Sequence, residues 1–180
     1  MLKQKIKPGE PEDLVLVLQM FKRFESMDQT AFDRLLDEVG KEQPLLISLF
    51  LGYRAYNEYE PAQLEALLPV LFVIWLFHKE RFVDVLFRPV TEANFEAVTK
   101  EKQDMVMQHM NGNFLQSGKE IDRFLDPLQP RALFAHINRI LITEPLPSLR
   151  GLSEEERHLL NFDCMVLIDC LQDQVKGSGT

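Results

Sequence analysis

The chain has 180 residues, of which 46% are hydrophobic and 27% are charged, and its formal net charge is −8 at pH 7. These proportions are close to the average of globular proteins, which argues against intrinsic disorder, and the length fits a single domain. Acidic side chains are interspersed with basic ones and outnumber them, which argues against nucleic-acid binding through a basic surface.

The first forty residues predict two helices. Pro11, followed by two acidic residues and then by regularly spaced apolar residues, predicts a helix that reaches about Ser26, because proline is well tolerated in the first helical turn. Residues 14–18 could alternatively form a strand, since they are apolar without interruption. A second helix is predicted from about Gln29, with Gly40 as its C-terminal cap.

A third helix, predicted to begin at Pro44, carries most of the candidate binding residues. The chain has three tyrosines, and their spacing by three places Tyr53, Tyr56 and Tyr59 on one face of a helix. Together with Arg54 they would form an amphipathic wall for a peptide or a small ligand, because tyrosine combines a large apolar ring with a polar tip. The alternative is that Tyr53 and Tyr56 only extend the apolar face of the helix.

The stretch ALLPVLFVIWLF, residues 66–77, contains no charge and no hydroxyl. Its 12 residues are fewer than the roughly 18 to 20 that a membrane-spanning helix needs. We therefore predict a core helix of a soluble protein, beginning at Pro61 and enclosed on all sides. Trp75, the only tryptophan, should be buried, and Pro69 predicts a kink or a restart of the helix.

Three further helical segments are predicted in the middle of the chain. Helix could continue beyond the apolar stretch as far as Leu86, and it should end before Pro89. Thr91 predicts the start of a long helix that reaches Met110. A short helix is predicted at about residues 119–125.

The last part of the chain predicts two more helices. Pro127 precedes a helix with one apolar face, on whose flank His136 and Arg139 lie about 60° apart around the axis. These two side chains could line a pocket, although a solvated flank is the alternative. The final helix begins with a capping box formed by Ser153 and Glu156.

Two six-residue segments resemble each other, FDRLLD at 32–37 and IDRFLD at 121–126. Each follows a longer predicted helix and precedes one that begins with proline, and such self-similarity is typical of helical repeats. One interpretation is therefore a duplication of residues 11–80 in residues 91–175. The alternative is chance, because these residue types are common in amphipathic helices.

The sequence contains no motif that indicates catalysis. Glu155 and His158 have the spacing used by di-iron bundles, but those proteins need the pair twice. Cys170 falls on the apolar face of the final helix, whereas Cys164 falls nearer its polar side, and a separation of six residues prevents a disulfide within the helix. We predict no catalytic residue, no metal site and no cofactor.

The periodicity predicts an all-α fold of about six to eight helices, arranged as antiparallel hairpins in a bundle or a short two-unit helical-repeat array. Residues 1–176 should form one domain, and residues 177–180 a flexible tail. The predicted function is a non-catalytic interaction or scaffold protein. The alternative is a small-ligand sensor or a helical enzyme with a pocket near Tyr53 and Tyr56. The candidate binding residues are Tyr53, Tyr56, Tyr59, Arg54, His136 and Arg139.

Apolar residues of the final helix cover too wide an arc for one contact face, so this helix should be enclosed or should contact a second subunit. A homodimer through this helix is the predicted assembly, because two-fold dimers are the commonest soluble oligomers. No nucleic acid and no membrane is expected as a partner. Residues 1–11 have no secretory pattern, and this, with only two cysteines, predicts a cytoplasmic location.

Overall fold

The computed structural model describes residues 11–56, 59–110 and 130–177. These ranges contain seven α-helices and no β-strand, which confirms the all-α prediction and rejects the alternative of a strand at residues 14–18. A π-helical turn, Arg139–Thr143, follows the sixth helix directly, and a 3₁₀ turn, Pro147–Leu149, precedes the seventh. The helices are α1 (Pro11–Glu25), α2 (Gln29–Glu42), α3 (Pro44–Tyr56), α4 (Pro61–Arg81), α5 (Glu92–Met110), α6 (Arg131–Asn138) and α7 (Glu154–Gly177).

Helix α4 forms the centre of the molecule and packs against α1, α3, α6 and α7. Residues 70–78 are all buried, and Trp75 is only 3% exposed, as predicted. By length and composition α4 is the one helix of the described ranges that could cross a membrane. The neighbouring helices bury α4 on every side, as is expected of the core helix of a globular protein.

Helix α4 is continuous through Pro69, so the predicted restart of the helix at this proline is wrong. A proline inside a helix removes one backbone hydrogen bond and costs roughly 3 kcal/mol. Full burial of the apolar side chains that follow Pro69 outweighs this cost, since each contributes roughly 1.5 to 3 kcal/mol. The beginning of α4 is secured by Gln63, whose Oε1 accepts the backbone N–H of Glu60 at 2.7 Å.

Two predicted helix ends are also wrong. Gly40 does not cap α2, which continues to Glu42, and the backbone N–H of Gln43 closes its last turn by donating to Val39 O at 2.7 Å. Helix α4 ends at Arg81, so the predicted continuation to Leu86 does not exist. Residues 82–91 instead form a non-helical connection to α5, which we call the 82–91 segment.

The 82–91 segment owes its conformation to two glutamines. Gln43 donates to Arg88 O at 3.0 Å and accepts the N–H of Val90 at 2.9 Å. Gln174 accepts the N–H of Arg88 at 2.7 Å and donates to Arg88 O at 3.1 Å. In a helix these backbone groups would bond to one another. Here the side-chain amides bond them instead, so the backbone N–H and C=O groups still have hydrogen-bond partners.

Helix α7 begins with the predicted capping box, in which Ser153 Oγ accepts the N–H of Glu156 at 3.2 Å and Glu156 Oε2 accepts the N–H of Ser153 at 2.7 Å. Residues 164–172 are buried, and α7 packs against α4, α5 and α6. Its wide apolar arc is therefore enclosed by its own chain. The homodimer through this helix stays a prediction, but a second subunit is not needed to cover the apolar side chains of α7.

Several predictions fall on parts of the chain that lie outside the described residues. These are the short helix at about 119–125 and the segment 121–126, so the duplication of residues 11–80 in residues 91–175 stays a prediction. The predicted tail overlaps the end of α7, which includes Gly177, and residues 178–180 also lie outside the described ranges.

Candidate functional site

The predicted tyrosine wall is only partly within the described residues. The side chains of Tyr53, Arg54 and Tyr56 lie outside them, although α3 itself ends at Tyr56. Tyr59 does not lie on α3. It precedes α4 and is buried, with 7% of its surface exposed. The three tyrosines therefore do not share one helical face, because Tyr59 is not part of α3.

The predicted pair His136 and Arg139 occupies two different environments. His136 is buried in α6, and its ring packs against that of Phe21 in α1 with 4.9 Å between the centroids. Burial, and secondly the positive charge of Arg139, lowers the pKa of His136. Arg139 is exposed, and its Nη1 bonds Glu144 Oε2 at 3.1 Å. A solvated flank thus describes Arg139, whereas it is wrong for His136.

Both cysteines are poor nucleophiles. Burial, followed by the charge of Asp163, raises the pKa of the Cys164 thiol, which contradicts its expected place near the polar side. Burial also raises the pKa of Cys170 to about 12, with Asp169 and Asp173 adding to the effect. Because the thiolate is the reactive form, neither side chain is activated at neutral pH.

No group of three or more histidine, cysteine, aspartate or glutamate side chains in the described ranges could hold a metal ion. The E-x-x-H spacing of Glu155 and His158 does not produce a pair. His158 Nε2 instead lies 3.6 Å from Glu154 Oε1, and both side chains are exposed to solvent.

Helix α1 carries apolar side chains on the side that faces away from the core. Leu14, Val15 and Leu18 are 44%, 52% and 46% exposed, and their spacing makes them neighbours on one helix face. We call these three residues the α1 apolar face. The opposite side of α1, including Val17 and Met20, is buried where the helix packs against α4 and α6.

Two ion pairs fix α1 to the end of α4. Asp13, only 2% exposed, accepts a hydrogen bond from Arg81 Nε at 2.6 Å. Arg23 Nη1 lies 3.3 Å from Glu80 Oε1 on the surface. Since the buried pair is costly to break, the α1 apolar face is presented on a helix that is held in place.

A buried polar cluster lies between α5 and α7. Lys102 Nζ is 2.5 Å from Asp169 Oδ2, and both residues are less than a tenth exposed. The contact of Arg88 with Gln174 shows that the start of α5 lies near the end of α7, so the two helices are antiparallel. Such a pair penalises axial sliding of the helices, because sliding would leave buried charges unpaired.

A second buried polar group lies in the last turn of α4. His78 is fully buried, and its Nδ1 lies 2.7 Å from Ile74 O. Burial lowers its pKa to about 4, which the hydrogen bond to Ile74 only partly opposes. A histidine near the C-terminal end of a helix is favoured as a cation by the helix dipole, but burial keeps this ring neutral.

Sequence reasoning missed the role of Trp75 beside His78, although their separation by three in an apolar helix was visible. Trp75 Nε1 and His78 Nε2 are buried and, within the described ranges, have no hydrogen-bond partner. Both rings pack against Phe87 of the 82–91 segment, a neighbour that the sequence did not reveal.

No protein-family model, curated protein or solved structure shows significant similarity to the chain.

Proposed function

We propose that the chain is a non-catalytic helical interaction protein whose docking surface is the α1 apolar face, and that the face binds α1 of a second copy. The observation that carries this proposal is the exposure of Leu14, Val15 and Leu18 side by side on a helix that is otherwise well packed. Single exposed apolar residues are normal, but a contiguous exposed group is typical of an interaction site.

The charge distribution of α1 favours a second copy as the occupant. Asp13 in its first turn and Arg23 in its last turn are already paired with α4, whereas Glu12 and Lys22, in the same two turns, are exposed. In an antiparallel pair with a two-fold axis near Leu18, Glu12 of each helix lies along the turn of its partner that contains Lys22. The surface is then complementary to itself, as a two-fold interface requires.

The non-catalytic part of the proposal is supported by the state of the titratable side chains. Cys164 and Cys170 are held as thiols by their raised pKa values. His78 and His136 have lowered pKa values because they are buried. These side chains contribute to packing, and among the residues that the structure describes they have no activating partner of the kind that nucleophilic catalysis needs.

The proposal is tested by sedimentation equilibrium. A face of three side chains supports a weak complex, so the protein is measured from micromolar to several hundred micromolar. We expect the mass to rise from 21.0 kDa towards twice that value. Leu18→Glu should remain at the monomer mass at every concentration, because it places a charge at the two-fold axis.

The matched control is Leu51→Glu, since Leu51 is 52% exposed on α3 and is absent from the proposed face. This variant should associate like the unmodified chain, and circular dichroism should show the same helix content for all three proteins. A monomer at every concentration, or equal effects of the two substitutions, contradicts the proposal.

A further inference from the structure

Trp75 and His78 bring a hydrogen-bond donor and an acceptor to one side of α4. The indole Nε1 can only donate. Ile74 O can only accept, so the His78 Nδ1 that bonds it at 2.7 Å carries the ring proton. His78 Nε2 is consequently an acceptor, because burial keeps the ring neutral. A separation of three residues places the two rings on the same helix face.

Neither Trp75 Nε1 nor His78 Nε2 finds a partner among the residues that the structure describes. Trp75 is 3% exposed and His78 is 0% exposed, so bulk water does not satisfy them. Buried polar atoms are nearly always hydrogen-bonded, and each exception requires an explanation. Trp75 offers an unpaired donor and His78 an unpaired acceptor, one helical turn apart. A single bound molecule that accepts from Trp75 and donates to His78 would satisfy both.

Two aromatic rings, those of Phe87 and Phe82, pack against the rings that carry the unpaired atoms. Phe87 meets both rings edge-on, at 5.5 Å and 84° for Trp75 and at 6.1 Å and 83° for His78. Phe82 lies 6.0 Å from His78 at an interplanar angle of 35°. Flat apolar walls favour a planar ligand, since stacking and edge contacts then use its whole surface.

The charges nearby do not favour an ionic ligand. Lys79 Nζ lies 5.7 Å from the centroid of Trp75. Its charge is already compensated by Glu38 at 2.6 Å and Glu42 at 2.8 Å. A neutral ligand avoids the desolvation cost that a charged one would incur beside buried aromatic rings.

Phe87 lies between solvent and the two buried rings. Its side chain is partly exposed, and its neighbours in the 82–91 segment, Val83 and Leu86, are 68% and 90% exposed. The segment is anchored after Phe87, through the backbone of Arg88 and Val90. Rotation of the Phe87 side chain would uncover Trp75 and His78, and the hydrogen bonds at Arg88 and Val90 do not involve that side chain.

We propose that Trp75, His78 and Phe82 form a binding site for a small, neutral, planar molecule with a hydrogen-bond acceptor next to a donor, as in a cyclic amide, and that Phe87 covers this site. The ligand enters by displacing Phe87, accepts from Trp75 Nε1–H and donates to His78 Nε2. This small-molecule site is separate from the α1 apolar face, so its test is independent of the proposed self-association.

The experiment follows the indole N–H by NMR. The chain has one tryptophan, so a ¹H–¹⁵N spectrum contains a single indole cross-peak. The probe is 2-pyridone, which offers an N–H beside a C=O, and the control compound is N-methyl-2-pyridone, which lacks the donor. We expect 2-pyridone to shift the peak in a saturable manner and to bind about tenfold more tightly than its methylated form.

Two substitutions make the test specific. Phe87→Ala removes the side chain that covers the site and should strengthen 2-pyridone binding. His78→Phe keeps a ring but removes the acceptor, so both compounds should then bind equally. His158→Phe is the matched control, because the side chain of His158 is 56% exposed, and it should leave both affinities unchanged.

The proposal is overturned if the indole peak does not respond to millimolar 2-pyridone in either the unmodified chain or Phe87→Ala. It is also overturned if the indole proton shows a cross-relaxation signal to a bound water that persists at the highest concentration of 2-pyridone. Such a water would satisfy Trp75 and His78 without any ligand. If His78→Phe does not fold, Phe87→Ala alone decides between these outcomes.

Discussion

At the scale of single residues, His78 connects protonation to folding. The ring is fully buried, and its folded-state pKa of about 4 lies below the ordinary value of 6.5. A histidine with a lowered pKa stabilises the folded state above pH 6.5, and this contribution is lost as the pH falls towards 4, because the unfolded chain binds the proton first. At about 1.4 kcal/mol per pKa unit, the loss amounts to about 3 kcal/mol.

We therefore predict that the free energy of unfolding falls between pH 6.5 and 4 more steeply for the unmodified chain than for His78→Phe. Urea unfolding at several pH values measures this difference. His158→Phe serves as the control, because its side chain is exposed to solvent and its removal should leave the slope unchanged. Parallel curves for the unmodified chain and His78→Phe would show that His78 is not held neutral by burial.

At the scale of elements, the 82–91 segment depends on side chains from two distant helices. Gln43 and Gln174 each make two hydrogen bonds to its backbone. Gln43 is 1% exposed, and Val90, whose N–H it accepts, is 5% exposed. Gln174 is more exposed, so water can replace its contacts more easily.

This difference in burial predicts unequal costs. Gln43→Ala should lower the free energy of unfolding by about 2 to 3 kcal/mol, because it removes two hydrogen bonds and leaves the buried N–H of Val90 without its partner. Gln174→Ala should cost about 1 kcal/mol or less. Chemical denaturation of both variants provides the measurement, and an equal or larger effect of Gln174→Ala would show that the segment is not fixed mainly by Gln43.

The same elements show which features the sequence could predict. Helix α4 was predictable because its apolar stretch and Pro61 are local signals. The 82–91 segment was not, since its glutamine partners lie 45 and 86 residues away in the chain. His136 was assigned to a flank because its periodicity does not reveal Phe21, which packs on it from α1.

The candidate sites were predictable only in part, for a related reason. The sequence placed Trp75 and His78 in a core helix, but the unpaired state of their nitrogens depends on what the rest of the fold brings to them. Likewise, apolar residues occupy most sides of α1, so periodicity alone did not indicate that Leu14 and Leu18 remain exposed. Tertiary packing decides which apolar face of a helix is covered.

For the molecule as a whole, self-association is expected at α1 rather than at α7, because α7 is enclosed and α1 has an exposed apolar face. Helix α7 is largely buried by α4, α5 and α6. Among its described residues, one large apolar side chain is exposed, that of Leu159 at 52%. The α1 apolar face has three such residues on a helix anchored by Asp13 and Arg81. Self-association is therefore expected through α1.

Disulfide cross-linking of single-cysteine substitutions tests association through α1 most directly. Leu18→Cys lies near the proposed two-fold axis, where two copies of the residue approach each other closely enough for a disulfide. Leu159→Cys places an equally exposed thiol on α7. The native cysteines are buried thiols with raised pKa values, so they should not compete under mild oxidation.

Mild oxidation of the folded protein followed by non-reducing electrophoresis gives the readout. We expect a covalent dimer for Leu18→Cys and little or none for Leu159→Cys. A dimer that forms equally or preferentially through Leu159→Cys, or no dimer through Leu18→Cys at concentrations of several hundred micromolar, would contradict association through α1.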